Sequence, residues 1–394
     1  MKIIKNLSEK YSPLYFLSSL GFGGLSVTFF MYLVFMTEHK EYPIPTFETL
    51  SVSLSSANIL TNIMTVVALI GITISSYAHL KLLFWNIKEY RLFKQTDNYN
   101  TLKKSDSEVQ LMAIPLTFGM TINVAFILGA VFVPKLWSVV EYLFPLALIA
   151  FAIAGYFAVK IFADYASRVL TTGEFDNTKN NNLSQMLAVF AFAMIGVGFS
   201  ASAAMSHIAL TSGIAMVLSI LFITIAGIFS LIKIVIGFHS MLEHGAEKET
   251  SISLWILIPI MTLIGIATFR IIMGLSHNFD MQTSSISHFI LFSMIVSIQV
   301  IFGYLGYVVM KKLGYFKSFI TGDEKSPAAY ALICPGVSAT VMGFFFLHKG
   351  LIPMGIIDQY SLPYFLIIGL LMWIQIKTIR VLFTLNKKML LISK

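Results

Sequence analysis

Ten apolar segments, each long enough to cross a lipid bilayer, limit what this chain can fold into. A helix needs about 20 mainly apolar residues to span the hydrocarbon core. The predicted spans are 13–36, 58–84, 109–133, 137–164, 184–208, 213–238, 252–275, 285–311, 326–347 and 360–385. Inside lipid every backbone polar group needs a partner within the protein, so these segments predict an all-α polytopic membrane protein with ten transmembrane helices.

Composition agrees with this class. Of the 394 residues, 57% are hydrophobic and only 12% are charged, whereas a soluble domain is nearer a quarter charged. Short polar connections separate the segments, so we expect one transmembrane domain over residues 1–394. The single cysteine, Cys334, excludes an internal disulfide and a multi-cysteine metal site.

The basic residues predict the orientation. They concentrate in alternate connections: Lys88, Arg91, Lys94, Lys103 and Lys104 in one, and Lys311, Lys312, Lys317 and Lys325 in another. The opposite side offers Lys40, Lys135 and Lys349. Cytoplasmic loops carry the excess of lysine and arginine, so both termini are predicted to be cytoplasmic. The net charge of +8 is therefore a topology signal and predicts no nucleic-acid partner.

One motif, an aromatic residue four positions before a lysine, recurs five times at intervals of 66 to 79 residues. The copies are "YAHLK" at 77–81, "YFAVK" at 156–160, "FSLIK" at 229–233, "YVVMK" at 307–311 and "WIQIK" at 373–377. Each copy alone fits an interfacial anchor, with a lysine that reaches the headgroups. The recurrence predicts five quasi-repeated helical hairpins, over 13–84, 109–164, 184–238, 252–311 and 326–385, arranged around a central pore.

The odd-numbered helices carry proline or glycine near mid-membrane. The predicted kink positions are Gly24, Pro115, Gly119, Gly196, Pro259, Gly265, Pro335 and Gly336. Interrupted helices are tolerated where they are buried or line a cavity, whereas tight helix packing is the alternative explanation for the glycines. The even helices are more uniformly bulky. We therefore expect the odd helices inside, lining a pathway, and the even helices outside against the lipid bilayer.

The charges favour an anion pathway. Arg270 is the one strong intramembrane charge, and it is predicted to attract anions at the outer mouth, unless it reaches outward to the headgroups. No carboxylate is evident within the membrane; Glu141 and Asp164 are predicted to lie deepest, near the ends of the fourth helix. A proton- or cation-coupled transporter usually needs such a carboxylate.

Catalytic and metal-binding patterns are poor. The segment "HSMLEH" at 239–244 misses both helical zinc-protease spacings, and the other histidines show no triad grouping. We therefore expect no enzymatic activity, no catalytic residue, no metal and no cofactor.

Three segments carry a family resemblance. They are "YSPLYFLSSLGFGGLS" at 11–26, "SSYAHLKLLFW" at 75–85 and "YALICPGVSATVMGFF" at 330–345. They resemble helices one, two and nine of the tellurite-resistance/C4-dicarboxylate transporter family, which includes the plant guard-cell slow anion channels. The resemblance implies five hairpins around a pore, a homotrimer with one pore per protomer, and transport of chloride, nitrate, sulfite or malate.

The resemblance also implies a gate. A phenylalanine of the ninth helix occludes the family's pore, but the matching residue here, just before Pro335, is Cys334. A shorter side chain predicts a wider pore at this point, or closure by another group; Phe190 and Phe192 are the candidates, and Phe118 is another phenylalanine that could face the pore. Alternatively, Cys334 packs between helices as a small hydrophobe.

The sequence as a whole predicts an anion channel or facilitative anion transporter of a bacterial inner membrane. Its partners would be inorganic or small organic anions. Selectivity would come from hydroxyls, helix-end dipoles and a positive mouth. A coupled exporter of dicarboxylate, sulfite or toxic oxyanions is the alternative, and a membrane enzyme or receptor is a more distant one.

Overall fold

The computed structural model describes residues 3–55, 58–173 and 181–391, and it is built of helices. Ten are long and apolar enough to cross a membrane: α1 Pro13–Met36, α2 Ile59–Phe93, α3 Asp106–Phe132, α4 Leu136–Thr172, α5 Ser184–Met205, α6 Ala209–His244, α7 Thr250–Asn278, α8 Ser285–Lys312, α9 Pro327–Leu351 and α10 Leu362–Met389. Two short helices, Phe47–Leu54 and Asp97–Lys103, lie in the connections. The predicted all-α polytopic fold is confirmed.

The five odd helices form a closed inner ring. Each packs on the next odd helix along the chain, and α9 returns to pack on α1. In the most apolar stretch of each odd helix 56–94% of residues are buried, against 22–33% in the even helices. The odd helices are therefore the inner layer and the even helices the outer one, as their different compositions predict. The even helices expose apolar side chains, such as Ile70, Ile149 and Leu221, which suit contact with lipid.

The even helices run further than their apolar stretches suggest. After the lysine of the recurring motif, α2, α4, α6 and α10 continue for roughly three turns, and only α8 ends close to its lysine. The motif therefore lies inside these helices and does not mark their ends, which corrects the predicted boundaries. The lysine ammonium lies over the aromatic ring of Tyr77, Tyr307 and Trp373, at 5.6–5.9 Å from the ring centroid.

Every odd helix begins with a short 3₁₀ segment that passes into the α-helix, directly in four of them and through Ile256 in α7. In α3, α7 and α9 the α-helical part starts at Ala113, Leu257 and Ile333. Pro115, Pro259 and Pro335 are each the third residue of that part. A 3₁₀ segment precedes each of these α-helical parts, so the proline, which lacks an N–H, lies two residues after the change in helix geometry. These prolines therefore lie eight or nine residues after the start of α3, α7 and α9, close to a change from 3₁₀ to α geometry, and a kink at these positions stays a prediction.

The predicted kink glycines are points of close helix packing. A Cβ added to Gly24 would lie 2.9 Å from Val337 of α9, and one at Gly119 would lie 3.0 Å from Met194 of α5. Gly196, Gly265 and Gly336 instead face Ile223, Ile295 and Thr378 of the even helix in their own hairpin. The alternative explanation for the glycines, tight packing, is therefore the one that the structure supports.

Polar side chains join the two layers. Gln375 of α10 donates to Thr28 of α1 at 2.8 Å, and Gln299 of α8 donates to Thr262 of α7 at 2.6 Å. His79 of α2 is fully buried, with its Nε2 3.0 Å from the Thr121 hydroxyl of α3. Many of the hydroxyls of the odd helices are thus used in helix packing, which leaves fewer of them for selectivity than the sequence predicts.

The two ends of the chain meet. Ile4 N–H donates to the Leu390 carbonyl at 2.9 Å, and the Glu89 carboxylate of α2 accepts the backbone N–H groups of Asn6 and Leu7 at 3.0 and 2.8 Å. We call this end of the bundle, which holds both termini and the start of every odd helix, the proximal end. The opposite end is the distal end.

Ring packing is testable at Gly336. Replacing Gly336 with alanine should separate α9 from α10, because the new methyl would overlap Thr378, and overpacking of this kind costs about 1–3 kcal/mol. Gly369→Ala is the matched control, since nothing lies within 4 Å of its added Cβ. We expect Gly336→Ala to melt several degrees lower in detergent and Gly369→Ala to melt like the native protein. Equal melting temperatures would contradict this packing.

Candidate functional site

Two cavities lie one above the other inside the ring. The proximal cavity has a volume of about 650 Å³ and is lined by the first residues of all five odd helices. The distal cavity, of about 160 Å³, is lined by residues further along the same five helices, with additional side chains from α4 and Ile44 of the α1–α2 connection. The two cavities therefore follow one another along the ring.

The two cavities share two lining residues, Phe190 of α5 and Cys334 of α9. Both side chains are buried, with 5% and 9% of their surface exposed. We call this pair the neck. The Cys334 side chain is short, and the Phe190 ring is the bulkier group where the cavities meet. The sequence singles out both residues; their role as a gate stays a prediction.

The other two phenylalanines that the sequence proposes for the pore lie elsewhere. Phe192 packs outward, with its ring centroid 5.4 Å from that of Phe162 in α4 and 6.2 Å from that of Phe222 in α6. Phe118 is 38% exposed on the outside of α3. Neither lines a cavity, so neither can act as a plug in this structure. Sequence could not distinguish them because Phe190 and Phe192 lie in one uniformly apolar helix.

Arg270 lines the distal cavity. Its guanidinium Nη1 donates to the Val197 carbonyl of α5 at 3.3 Å. Among the described residues no carboxylate oxygen lies within 4.0 Å of it. Arg270 therefore faces the interior of the ring, and the alternative in which it reaches outward to the headgroups does not describe this structure.

The rest of the distal lining is mostly apolar. Its uncharged polar residues are Asn123, Ser202, Thr262 and Ser338, and Arg270 is the charged residue among those described. Asn123 of α3 was not predicted from the sequence. An isolated asparagine in an apolar helix is the signal that could have found it, because polar side chains at membrane depth usually face the bundle interior.

Capping side chains surround the proximal cavity. Ser12, Ser105 and Ser326 each accept a hydrogen bond from the backbone N–H two residues ahead, and Asn182 does the same for Ser184. All four line the cavity, at the start of α1, α3, α5 and α9. This repeat was not predicted, although Ser-Pro pairs at 12–13 and 326–327 signal two of the four helix starts.

The proximal cavity carries charges of both signs. Lys104, Asp106, Arg168 and Glu249 line it, and Glu249 accepts a hydrogen bond from Ser326 at 2.6 Å. Nearby, outside the membrane-spanning helices, hydrogen bonds from Lys248 and Ser318 hold the pKa of Glu324 below its usual value. The N-terminal ends of five helices also point here, and each carries a partial positive charge of roughly half an elementary unit.

The most buried carboxylates are not Glu141 and Asp164, the two that the sequence predicts to lie deepest in the membrane. Glu141 receives hydrogen bonds from Ser206 and His207 at the distal surface, both at 2.7 Å. Glu89 and Glu108 are the buried acidic residues, at 3% and 2% exposure. Glu108 lies 3.4 Å from Arg168, near the proximal end. Both are therefore bound to structural partners. The described residues contain no group of three or more His, Cys, Asp or Glu side chains that could hold a metal ion.

Comparison with protein-family models and with curated proteins gives no match for this chain. The function must therefore be argued from the cavities themselves.

Accessibility of the neck can be tested with the only thiol in the chain. If the Phe190 ring covers Cys334, Phe190→Ala should speed the reaction of Cys334 with a water-soluble maleimide by about tenfold, which corresponds to about 1.4 kcal/mol of opening free energy. Phe118→Ala removes an identical ring from the outer surface and should leave the rate unchanged. Equal labelling rates for Phe190→Ala and the native protein would show that Phe190 does not cover the thiol.

Proposed function

We propose that this protein is an anion channel or facilitative anion transporter. The path runs from the proximal cavity through the neck of Phe190 and Cys334 into the distal cavity. The observation that carries the proposal is the pair of cavities, which all five odd helices line and which meet at two side chains. A closed ring with an axial path is an arrangement for permeation, and it gives a transported ion protein contacts on every side.

The sign of the permeant ion follows from the lining charges. Arg270 is the charged residue of the distal cavity among those described, and it is positive. Five helix N-termini supply positive potential at the proximal end. A cleft of one sign raises the local concentration of the opposite ion, so the distal cavity favours anions over cations, whereas the side chains that line the proximal cavity carry charges of both signs.

The surroundings of the path fit a membrane protein with several spans. Applying the positive-inside rule, we assign the proximal end and both termini to the cytoplasm of a bacterial inner membrane. Membership of the tellurite-resistance/C4-dicarboxylate transporter family and assembly into homotrimers are part of the same proposal, because the resemblance of helices one, two and nine implies them.

A coupled exporter of dicarboxylate, sulfite or toxic oxyanions is the alternative. Coupling to protons or cations usually requires an ionisable carboxylate along the path. The described lining of the neck and of the distal cavity has none, although Asp106 and Glu249 line the proximal cavity. Uncoupled permeation therefore has the stronger support.

Flux into liposomes tests the proposal. Purified protein in liposomes should pass chloride or nitrate down a gradient, with no pH gradient needed, and should pass potassium far more slowly. Phe190→Ala should raise anion flux because it widens the neck, and Cys334→Phe should lower it because it adds a ring there.

Phe118→Ala, which changes the outer surface only, should conduct like the native protein. The proposal fails if anion flux does not exceed that of empty liposomes, or if potassium passes equally well. An absolute requirement for a proton gradient would instead favour the coupled exporter.

A further inference from the structure

The Arg270 guanidinium has binding capacity that the protein itself does not use. The group carries five N–H donors, and one hydrogen bond, to the Val197 carbonyl at 3.3 Å, is formed within the described structure. Arg270 nevertheless faces a mostly apolar cavity with no carboxylate within 4.0 Å among the described residues. A half-buried guanidinium with one hydrogen bond and no paired carboxylate is incompletely satisfied, so a mobile counterion would stabilise it.

Asn123 supplies a second donor from the other side of the cavity. Its amide nitrogen lies 3.6 Å from the Met194 sulfur, which is a weak acceptor. In the ring α3 and α7 flank α5 on opposite sides, and both residues lie a little over two turns from the distal end of their helices. Asn123 and Arg270 therefore face the same space from two directions at similar depth.

The size and charge of this space limit what it can hold. The distal cavity has a volume of about 160 Å³, and its described lining offers one positive charge. One guanidinium neutralises one negative charge. A dianion would keep its second charge unpaired against apolar side chains, at a large desolvation cost. A small monovalent anion meets both limits.

We infer that the distal cavity is a binding site for one monovalent anion of the size of chloride or nitrate, held by Arg270 and the Asn123 amide. Anion binding in the distal cavity is inferred from the geometry of the cavity alone. The role of this site as one that a permeating anion occupies rests on the proposed function. Such a site narrows the candidate substrates to small monovalent anions and disfavours malate and doubly charged sulfite.

Binding can be measured without transport. Detergent-purified protein is titrated with sodium nitrate or sodium sulfate at constant ionic strength, with sodium gluconate as the balancing salt, and its melting temperature is followed. A ligand that binds only the native state raises the melting temperature in a saturable way. We expect a saturable rise with nitrate and none with sulfate.

Three variants locate the site. Arg270→Gln should lose the nitrate response, and Asn123→Leu should weaken the apparent affinity by about tenfold, the factor that 1.4 kcal/mol represents. Arg270→Lys keeps the positive charge and should retain a response to nitrate. It is the control for a loss of response that comes only from misfolding of Arg270→Gln. Lys135→Gln removes a distal cation outside the cavity and should respond like the native protein.

Two outcomes overturn the inference: an Arg270→Gln response equal to the native one, or a sulfate response as strong as that of nitrate. The proposed function fails separately. If nitrate binds through Arg270 but the liposomes show no anion flux, the site stands and permeation does not. If flux is normal but binding is independent of Arg270, permeation stands and the site does not.

Discussion

The return of α9 to α1 is the constraint on which the rest of the structure depends. A ring of five helices encloses a path only if the last one packs on the first. Here the backbones approach at Gly24, which faces Val337, and Gln375 of α10 bridges to Thr28 of α1. A polar side chain between packed transmembrane helices needs a hydrogen-bond partner within the protein. The hydrogen bond of Gln375 therefore also fixes the rotation of the fifth hairpin relative to α1. Both cavities exist because this seam is closed.

Ring closure also determines how polar residues are divided between structure and path. Where a hydroxyl or amide faces a neighbouring helix, it forms an interhelical hydrogen bond, as Thr262 does with Gln299. The few polar groups that face inward, above all Arg270 and Asn123, are left with donors toward the cavity. The chemistry of the path is therefore set by a small number of side chains in an otherwise apolar lining.

Sequence predicted the parts of this structure that depend on average hydrophobicity. The ten spans and the inner and outer layers follow from composition and repeats, and Cys334, which the resemblance singles out, lines both cavities. Helix ends did not, because α2 continues as a polar helix well past Lys81. Sequence also does not reveal that Pro335 follows a change from 3₁₀ to α geometry within α9. Phe192 was misassigned because the direction of a side chain in a uniformly apolar helix depends on its neighbours.

The neck has a consequence for how related chains could vary. Its aperture depends on two side chains from different helices, Phe190 on α5 and Cys334 on α9, so neither position alone determines the free cross-section. The aromatic side chain could be on α9 and the small one on α5, and the summed side-chain volume at the neck would stay the same. If the neck serves the proposed permeation, selection acts on the pair, so the two positions should covary, large with small, while each one alone looks poorly conserved.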